Sequence, residues 1–272
     1  MDRRRARARA LACVRRRRRA RAPLSPSAIT VVLLARDEAR RLPDYFAALP
    51  AGVQVFVLDA ESQDETAALS RAHGARVETR TWEGFVAARR HALARVRTPW
   101  TLMLDADERL DPTLRDAIVA APDDVAGYLM RRTTKLCGAA VRTAGWSSEV
   151  LVRLFRTDRA RLEAHSVGGG ADLHERWIVD GPTAVLAGTI VHDSYPTLAS
   201  YRAKFLRYTR IEAASLAPSR LALARELVLF PVRVVWSIVK YGGWRDGWRG
   251  LFVAWESARY RVVVRLGALR RA

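Results

Sequence analysis

Asp105 and Asp107 stand one residue apart at the end of an uncharged run, Thr101 to Leu104. On a strand, residues i and i+2 point to the same side, so the two carboxylates can converge on one cation, and the small Ala106 between them leaves room for a phosphate or a sugar. Oxygen ligands favour Mg2+ or Mn2+ over zinc. Taken alone, such a pair has an ordinary alternative, in which Asp105 caps a turn and Asp107 is solvated. Two other stretches repeat the pattern, however. Ala28–Ala35 runs into Arg36, Asp37 and Glu38, and Val53–Leu58 runs into Asp59. Strands joined by right-handed crossovers would align these three acidic ends along one edge of a sheet. An edge lined with carboxylates requires cations or hydrogen-bond donors from a ligand. Uracil or guanine N–H groups, ribose hydroxyls and a metal-bound diphosphate are such donors.

The elements that must position these residues are legible in order. Ala28–Ala35 is β-branched and uncharged, which predicts a central parallel strand. Pro43 opens a helix through Leu49 that Pro50 and Gly52 close. After the strand Val53–Leu58, Ser62 to Glu65 has the spacing of a capping box, predicting a helix to His73 with Gly74 as its stop. Arg76–Thr79 reads as a third strand and Phe85–Val96 as a helix, and Pro99 precedes the strand carrying the aspartates. The order is β-α-β-α-β-α-β. Beyond a helix at Pro112–Ala120, strands at Tyr128–Thr134 and Glu149–Phe155 flank a loop holding Gly138, Gly145, Trp146, Ser147 and Ser148. Gly168–Gly170 reads as a flexible link, followed by Leu173, His174 and Glu175. A strand from Thr183 to Val191 ends in His192, and the chain is helical from Leu198, with Tyr201, Lys204, Phe205 and Tyr208 recurring at helical steps. There are no internal repeats.

The chain has 272 residues and 50% hydrophobic composition, enough for a core in one large domain or two small ones. Its net charge of +19 is uneven, since residues 1–22 hold 11 Arg and one Asp. Such an arm cannot bury enough apolar surface to order itself and is expected to be disordered and dispensable for chemistry; it could meet nucleic acid, anionic lipid or nothing. Ala10–Val14 is too short an apolar stretch for a signal peptide. Cys13 and Cys137 provide neither a disulfide framework nor metal spacing, which fits a reducing cytoplasm. Leu227–Val239 is apolar apart from Arg233 and Ser237 but falls short of the roughly 20 residues that span a bilayer. With Lys240, Arg245 and Arg249 at its end and Trp236, Trp244, Trp248 and Trp255 nearby, it suits either an interfacial helix on an anionic leaflet or an ordinary helix packed on the core.

With these motifs placed, the chain from about Ala28 to Ser215 resembles glycosyltransferase family 2, and within it the lipopolysaccharide-core β-glucosyltransferase branch. The resemblance rests on Leu33 to Glu38, Val57 to Asp64, Leu104 to Glu108, Gly145-Trp146, Arg153 to Arg156, His174-Glu175, and His192 to Tyr195 followed by Lys204 and Tyr208. The chain departs from the family pattern where Asp37 replaces a usual Asn and where Glu61 to Asp64 replaces Gly-Ser-Thr-Asp. Glu149 stands where the branch usually has Asp.

The resemblance implies an α/β, GT-A (Rossmann-like) mixed sheet flanked by helices, with a helical C-terminal extension. Residues 1–27 would be the Arg-rich tail, 28–215 the transferase domain, and 216–272 a helical, membrane-associating region. It also implies an inverting, metal-dependent transfer from a nucleotide-diphosphate sugar to a cell-envelope glycan or glycolipid, at the inner face of the cytoplasmic membrane. Donor contacts would come from Arg36, Glu38, Asp59, Asp105, Arg153 and Lys204. Asp107 would hold Mg2+ or Mn2+ with Asp105, and His192 would complete the coordination or donate to the diphosphate. An acceptor hydroxyl needs a base to take its proton; Glu149 is the first candidate and Glu175 the second. Transfer to polyprenyl phosphate or to a peptide side chain would use the same machinery. In a different class, the Arg-rich tail suggests a nucleic-acid-binding protein, but no recognition-helix or RNA-binding signature accompanies it, and no specific nucleic acid is expected.

Overall fold

A computed structural model describes residues 22–142, 146, 149–164 and 175–271. The β-branched run after Ser27 forms β1 (Ile29–Ala35), almost wholly buried because a parallel neighbour lies on each side of it. Those neighbours are β2 (Gln54–Asp59) and β4 (Trp100–Met103), and β3 (Arg76–Thr79) adds in parallel beyond β2. Helices α1 (Leu42–Ala47), α2 (Thr66–Ala72) and α3 (Phe85–Ala94) make the crossovers. The parallel half therefore follows the sequence reading to within a few residues. All its strand ends share one edge.

The second half is mixed. The chain turns after Asp107 into the short β5 (Glu108–Leu110), and α4 (Pro112–Ala120) follows, capped by the Asp111 carboxylate on the Leu114 N–H. Next come β6 (Gly127–Leu136), β7 (Ala139–Val141), β8 (Glu149–Arg156), β9 (Ala160–Ala164), β10 (Glu175–Val179) and β11 (Thr183–Tyr195). The main sheet runs β3-β2-β1-β4-β8-β6-β11-β5, with β7 paired to β6, while β9 and β10 form a separate ribbon. Three helices end the chain, α5 (Leu198–Ser215), α6 (Arg220–Lys240) and α7 (Trp248–Leu269). Val253 of α7 packs with Leu136 and Val141, and Arg249 donates to the carbonyls of Leu136 and Cys137, which fixes this region to the β6-β7 hairpin.

Three sequence expectations need correction. Leu24, assigned by sequence to the N-terminal tail, is buried in the main core and its N–H bonds the Ala121 carbonyl, so the globular body begins before residue 27. Ser62 to Glu65 does not form a capping box: the Ser62 hydroxyl bonds Asp59, while Asp64 accepts from the N–H of Thr66. The strand expected to end at His192 continues to Tyr195. Gly145, Ser147, Ser148, Gly168–Gly170 and His174 lie outside the described residues.

β11 packs along α4, and the closest approach is at Gly188. Gly188 has φ of +89°, inside the irregularity between Val185 and Thr189, and an added Cβ would lie 2.3 Å from the Leu114 backbone nitrogen. Beside it, the Asp111 carboxylate accepts from the Thr189 N–H at 3.0 Å and the Asp111 N–H bonds the Thr189 carbonyl. Gly188→Ala meets both a left-handed backbone and a rigid neighbour. It is expected to lower unfolding free energy by about 2–3 kcal/mol, measured by urea denaturation.

Candidate active site

β4 ends at Met103, so Asp105 and Asp107 sit in the turn that reverses the chain into β5, not on a strand. The turn is closed by the Glu108 N–H on the Asp105 carbonyl at 3.0 Å, and the Glu108 carboxylate in turn accepts the Asp105 N–H at 3.1 Å. A turn does not keep the two-residue alternation of a strand. The two aspartates accordingly face different partners.

Asp105 is held by arginines. Arg89 of α3 lies 2.8 Å from its Oδ1 and Arg153 of β8 lies 3.1 Å from its Oδ2. Burial alone would raise its pKa, but the charges of Arg89 and Arg153 outweigh it and hold the carboxyl well below the usual carboxylate range. Arg153 also reaches the fully buried Glu108 at 2.7 Å, and Arg132 of β6 lies 3.1 Å from the same oxygen. Arg153 is therefore buried between two carboxylates, not exposed as a free phosphate contact. Arg132 continues to Glu149, and both of its contacts, at 2.5 and 3.1 Å, fall on Oε2. Oε1 of Glu149 takes no part in that pair. Glu108, Arg89 and Arg132 were not singled out by sequence reasoning; the only signal was the position of Glu108 directly behind the two aspartates.

Asp107 belongs to a second group. Strand β11 pairs antiparallel with β5, placing His192 opposite Glu108, and the Asp193 N–H bonds the Asp107 carbonyl at 2.8 Å. His192 Nε2 thereby comes within 3.2 Å of Asp107 Oδ2, and Lys204 of α5 lies 3.6 Å from the same oxygen. Burial opposes ionisation of Asp107, yet the hydrogen bond from His192 and the charges of His192 and Lys204 lower its pKa overall. Lys204 is steadied by Ser194 at 3.0 Å.

On the parallel side, Asp59 is buried and accepts from Ser62 Oγ at 2.5 Å and from Thr79 Oγ1 at 3.4 Å. Asp37 adopts a left-handed backbone (φ 55°), a region open chiefly to Gly, Asn and Asp. Its carboxylate accepts the Gln63 N–H at 2.7 Å while its own N–H bonds Ser62. Glu38 pairs with Arg41 at 2.6 Å, and Arg36 is exposed beside Asp37 at 3.9 Å. Glu175 opens β10, and its side chain lies outside the described residues. A cleft of about 910 Å³ runs past Asp105, Arg132 and Glu149 towards Trp177 and Tyr208.

Among the described residues no group of three or more His, Cys, Asp and Glu is gathered to hold a metal ion. Asp107 and His192 nonetheless suit one. A magnesium-like cation commonly takes one or two protein ligands and fills the remainder with water and substrate phosphates, and Asp107 is held in its ionised form.

The family model for glycosyl transferase family 2 matches residues 30–167, just over half of the chain, including the parallel strand ends and the aspartate turn but not His192 or Lys204. The chain belongs to glycosyltransferase family 2. Its sheet, with three parallel strand ends feeding a turn that bears two aspartates, is the GT-A arrangement. The lipopolysaccharide core biosynthesis glycosyltransferase LpsC of Rhizobium meliloti is 23% identical over 243 residues, covering 85% of this chain and 88% of that protein. An uncharacterized glycosyltransferase of Mycobacterium tuberculosis is 30% identical over 140 residues, 52% of this chain. The chain spans 64% of the length of that relative. Among solved structures, a mannosyltransferase from Pyrobaculum calidifontis in complex with GDP-Man and Mn2+ matches with a TM-score of 0.44 and 16% identity, covering 97% of this chain and 81% of that one.

The ion pairs of this family 2 site lead to two predictions. Arg153→Met leaves Glu108 buried without one of its two cations and is expected to lower stability by about 3–5 kcal/mol in urea unfolding. Asp105 has a folded-state pKa below its unfolded value of about 3.9, so its contribution to stability is complete above that pH and is lost as pH falls towards the folded value. The stability difference between wild type and Asp105→Asn should therefore be constant near neutrality and shrink below about pH 4.

Proposed function

We propose that the protein is an inverting, metal-dependent glycosyltransferase that moves a sugar from a nucleoside-diphosphate sugar to a hydroxyl of a cell-envelope glycan or glycolipid. The observation that carries this reading is the pairing of Asp107 with His192 at 3.2 Å on the strand edge of a family 2 chain, with Glu149 on the adjoining cleft. The acceptor class is supported by LpsC, a glycosyltransferase of lipopolysaccharide core biosynthesis whose match covers 85% of this chain.

Asp107 and His192 would hold a divalent cation, Mg2+ or Mn2+. Such an ion supplies Lewis-acid neutralisation of the charge that develops on a departing diphosphate. Lys204, now 3.6 Å from Asp107, is placed to bind a diphosphate oxygen. Asp59, Glu38 and Arg36 line the nucleoside side, where the interlocked loops after β1 and β2 offer carboxylates to base and ribose donors. Asp105 is oriented by Arg89 and Arg153 towards the same cleft as Glu149.

Glu149 serves as the base. Arg132 holds its Oε2 and so fixes the carboxylate at the cleft, leaving Oε1 to accept the proton of an acceptor hydroxyl. Attack from that side displaces the diphosphate in one step and inverts the anomeric centre.

The test begins with thermal shifts against UDP, GDP and CMP and their sugar conjugates, with Mn2+ or with EDTA. A Mn2+-dependent rise with one nucleoside diphosphate, lost in Asp107→Asn, is expected; no rise with any of them would reject the donor site. Glu149→Gln is expected to keep that shift while lowering turnover about 10²- to 10⁴-fold. Full turnover in Glu149→Gln would transfer the base role to Glu175.

A further inference from the structure

Helix α6 buries polar groups on its inner side and exposes a run of apolar groups on its outer side, the reverse of the usual helix facing water. Its inner side holds the buried Ser237 and the buried Glu226, which is paired to Arg225 at 3.2 Å and Arg233 at 3.1 Å. Its outer side presents Leu221, Val228, Val232, Val235 and Val239, which are 59–82% exposed. These positions recur at helical steps, so they form one stripe along the helix, interrupted by a charge only at the exposed Arg225 near its start. Helix α7 widens the patch with Trp248, Leu251 and Trp255 on one face, each about half exposed. Phe230 packs edge-on against Trp255 at 4.8 Å and joins the two faces.

Charge identifies what would cover this patch. Residues 216–272 contain eleven basic and three acidic side chains, whereas residues 23–215 are nearly balanced, with 25 basic and 24 acidic. Two of the three C-terminal acids, Glu226 and Glu256, are buried and paired with arginines, which leaves Asp246 as the one acid to set against the remaining basic side chains of this segment. At the end of the stripe the cations sit over tryptophan rings: Lys240 over Trp236 at 4.8 Å, Arg245 over Trp244 at 5.1 Å and Arg249 over Trp248 at 4.7 Å. A second copy would bring the same positive surface against itself. An anionic bilayer satisfies both features at once, with headgroups for the Lys and Arg side chains and acyl chains for the valines. Among the described residues no helix is long and apolar enough to cross a membrane, so the contact is one of lying on the surface.

We propose that α6 and the start of α7 seat the protein on an anionic lipid surface, with the valine stripe among the acyl chains and the tryptophan-cation pairs at headgroup level. This inference does not depend on the transferase reading, since it concerns a different face and a binding measurement.

The experiment is flotation of the full chain with phosphatidylcholine vesicles, with and without phosphatidylglycerol, with wild type and variant at one salt concentration so that the Arg-rich N-terminus contributes equally to both. Tryptophan quenching by brominated acyl chains is measured in parallel. Wild type is expected to float with the anionic vesicles and to be quenched. The double variant Val232→Asp/Val235→Asp, at two exposed sites, is expected to keep its melting temperature and partition at least about tenfold more weakly. Equal binding by wild type and the double variant, equal binding to neutral vesicles, or absence of quenching in wild type would each overturn the proposal. A concentration-dependent dimer in vesicle-free sedimentation that the same substitutions abolish, without vesicle binding, would assign the face to a second copy.

Discussion

The geometry of the site depends on one buried carboxylate. Glu108 has no solvent exposure, and a charge in that position is tolerated only with partners. Arg153 from β8 and Arg132 from β6 converge on its Oε1, and its Oε2 closes the turn through the Asp105 N–H. Arg153 extends the network to Asp105, which Arg89 of α3 grips from the other side. Three separate elements, β8, β6 and α3, are thus tied to a turn of a few residues. A one-residue slip of β8 or β6 would turn its arginine to the opposite face and strand the carboxylate, so the network also specifies strand register.

The two halves of the sheet contribute differently. The parallel half supplies loops that brace each other: Asp37 and Glu61 both hold left-handed backbones, and Asp37, Ser62, Asp64 and Thr66 exchange hydrogen bonds between the loops after β1 and β2. The mixed half clamps the aspartate turn from the far side. Strand β11 reaches Asp107 only because Gly188 lets it pass against α4 and because Asp111 caps the helix while also bonding Thr189. A glycine outside the site thereby sets where His192 falls.

What could be read from sequence follows from how local the signal is. β1, β2 and β4 were legible because uncharged β-branched runs ending in carboxylates are a local pattern, and their common edge follows from crossover handedness. β5 was not, because three residues carry no periodicity and its existence depends on pairing with β11 about eighty residues later. The same holds for the side chains. Asp105 was placed beside Asp107 by strand alternation, but its orientation is decided by Arg89 and Arg153, which lie 16 and 48 residues away in the chain. The capping-box spacing at Ser62 was real as a pattern and lost to a competing partner, the Asp59 carboxylate. Membership of a family fixed the fold more firmly than it fixed which oxygen faces which nitrogen.

The distribution of charge separates the site from the rest of the surface. Residues 23–215 are nearly balanced, and the arginines nearest the aspartate turn are matched by Glu108, Asp105 and Glu149, so the potential in the cleft is set by local pairing and not by the chain's excess of +19. That excess lies at the two ends of the chain. Asp107 is the exception within the site: its oxygen lies near an imidazole and an ammonium, 3.2 and 3.6 Å away, with no guanidinium among the described residues committed to it. An ammonium on a flexible stem and an imidazole can be redirected at less cost than a guanidinium buried among carboxylates. The turn therefore holds one aspartate rigidly in an arginine lattice and leaves the other with exchangeable partners. That asymmetry is what a site needs if one carboxylate is to maintain its shape while the other takes up a ligand.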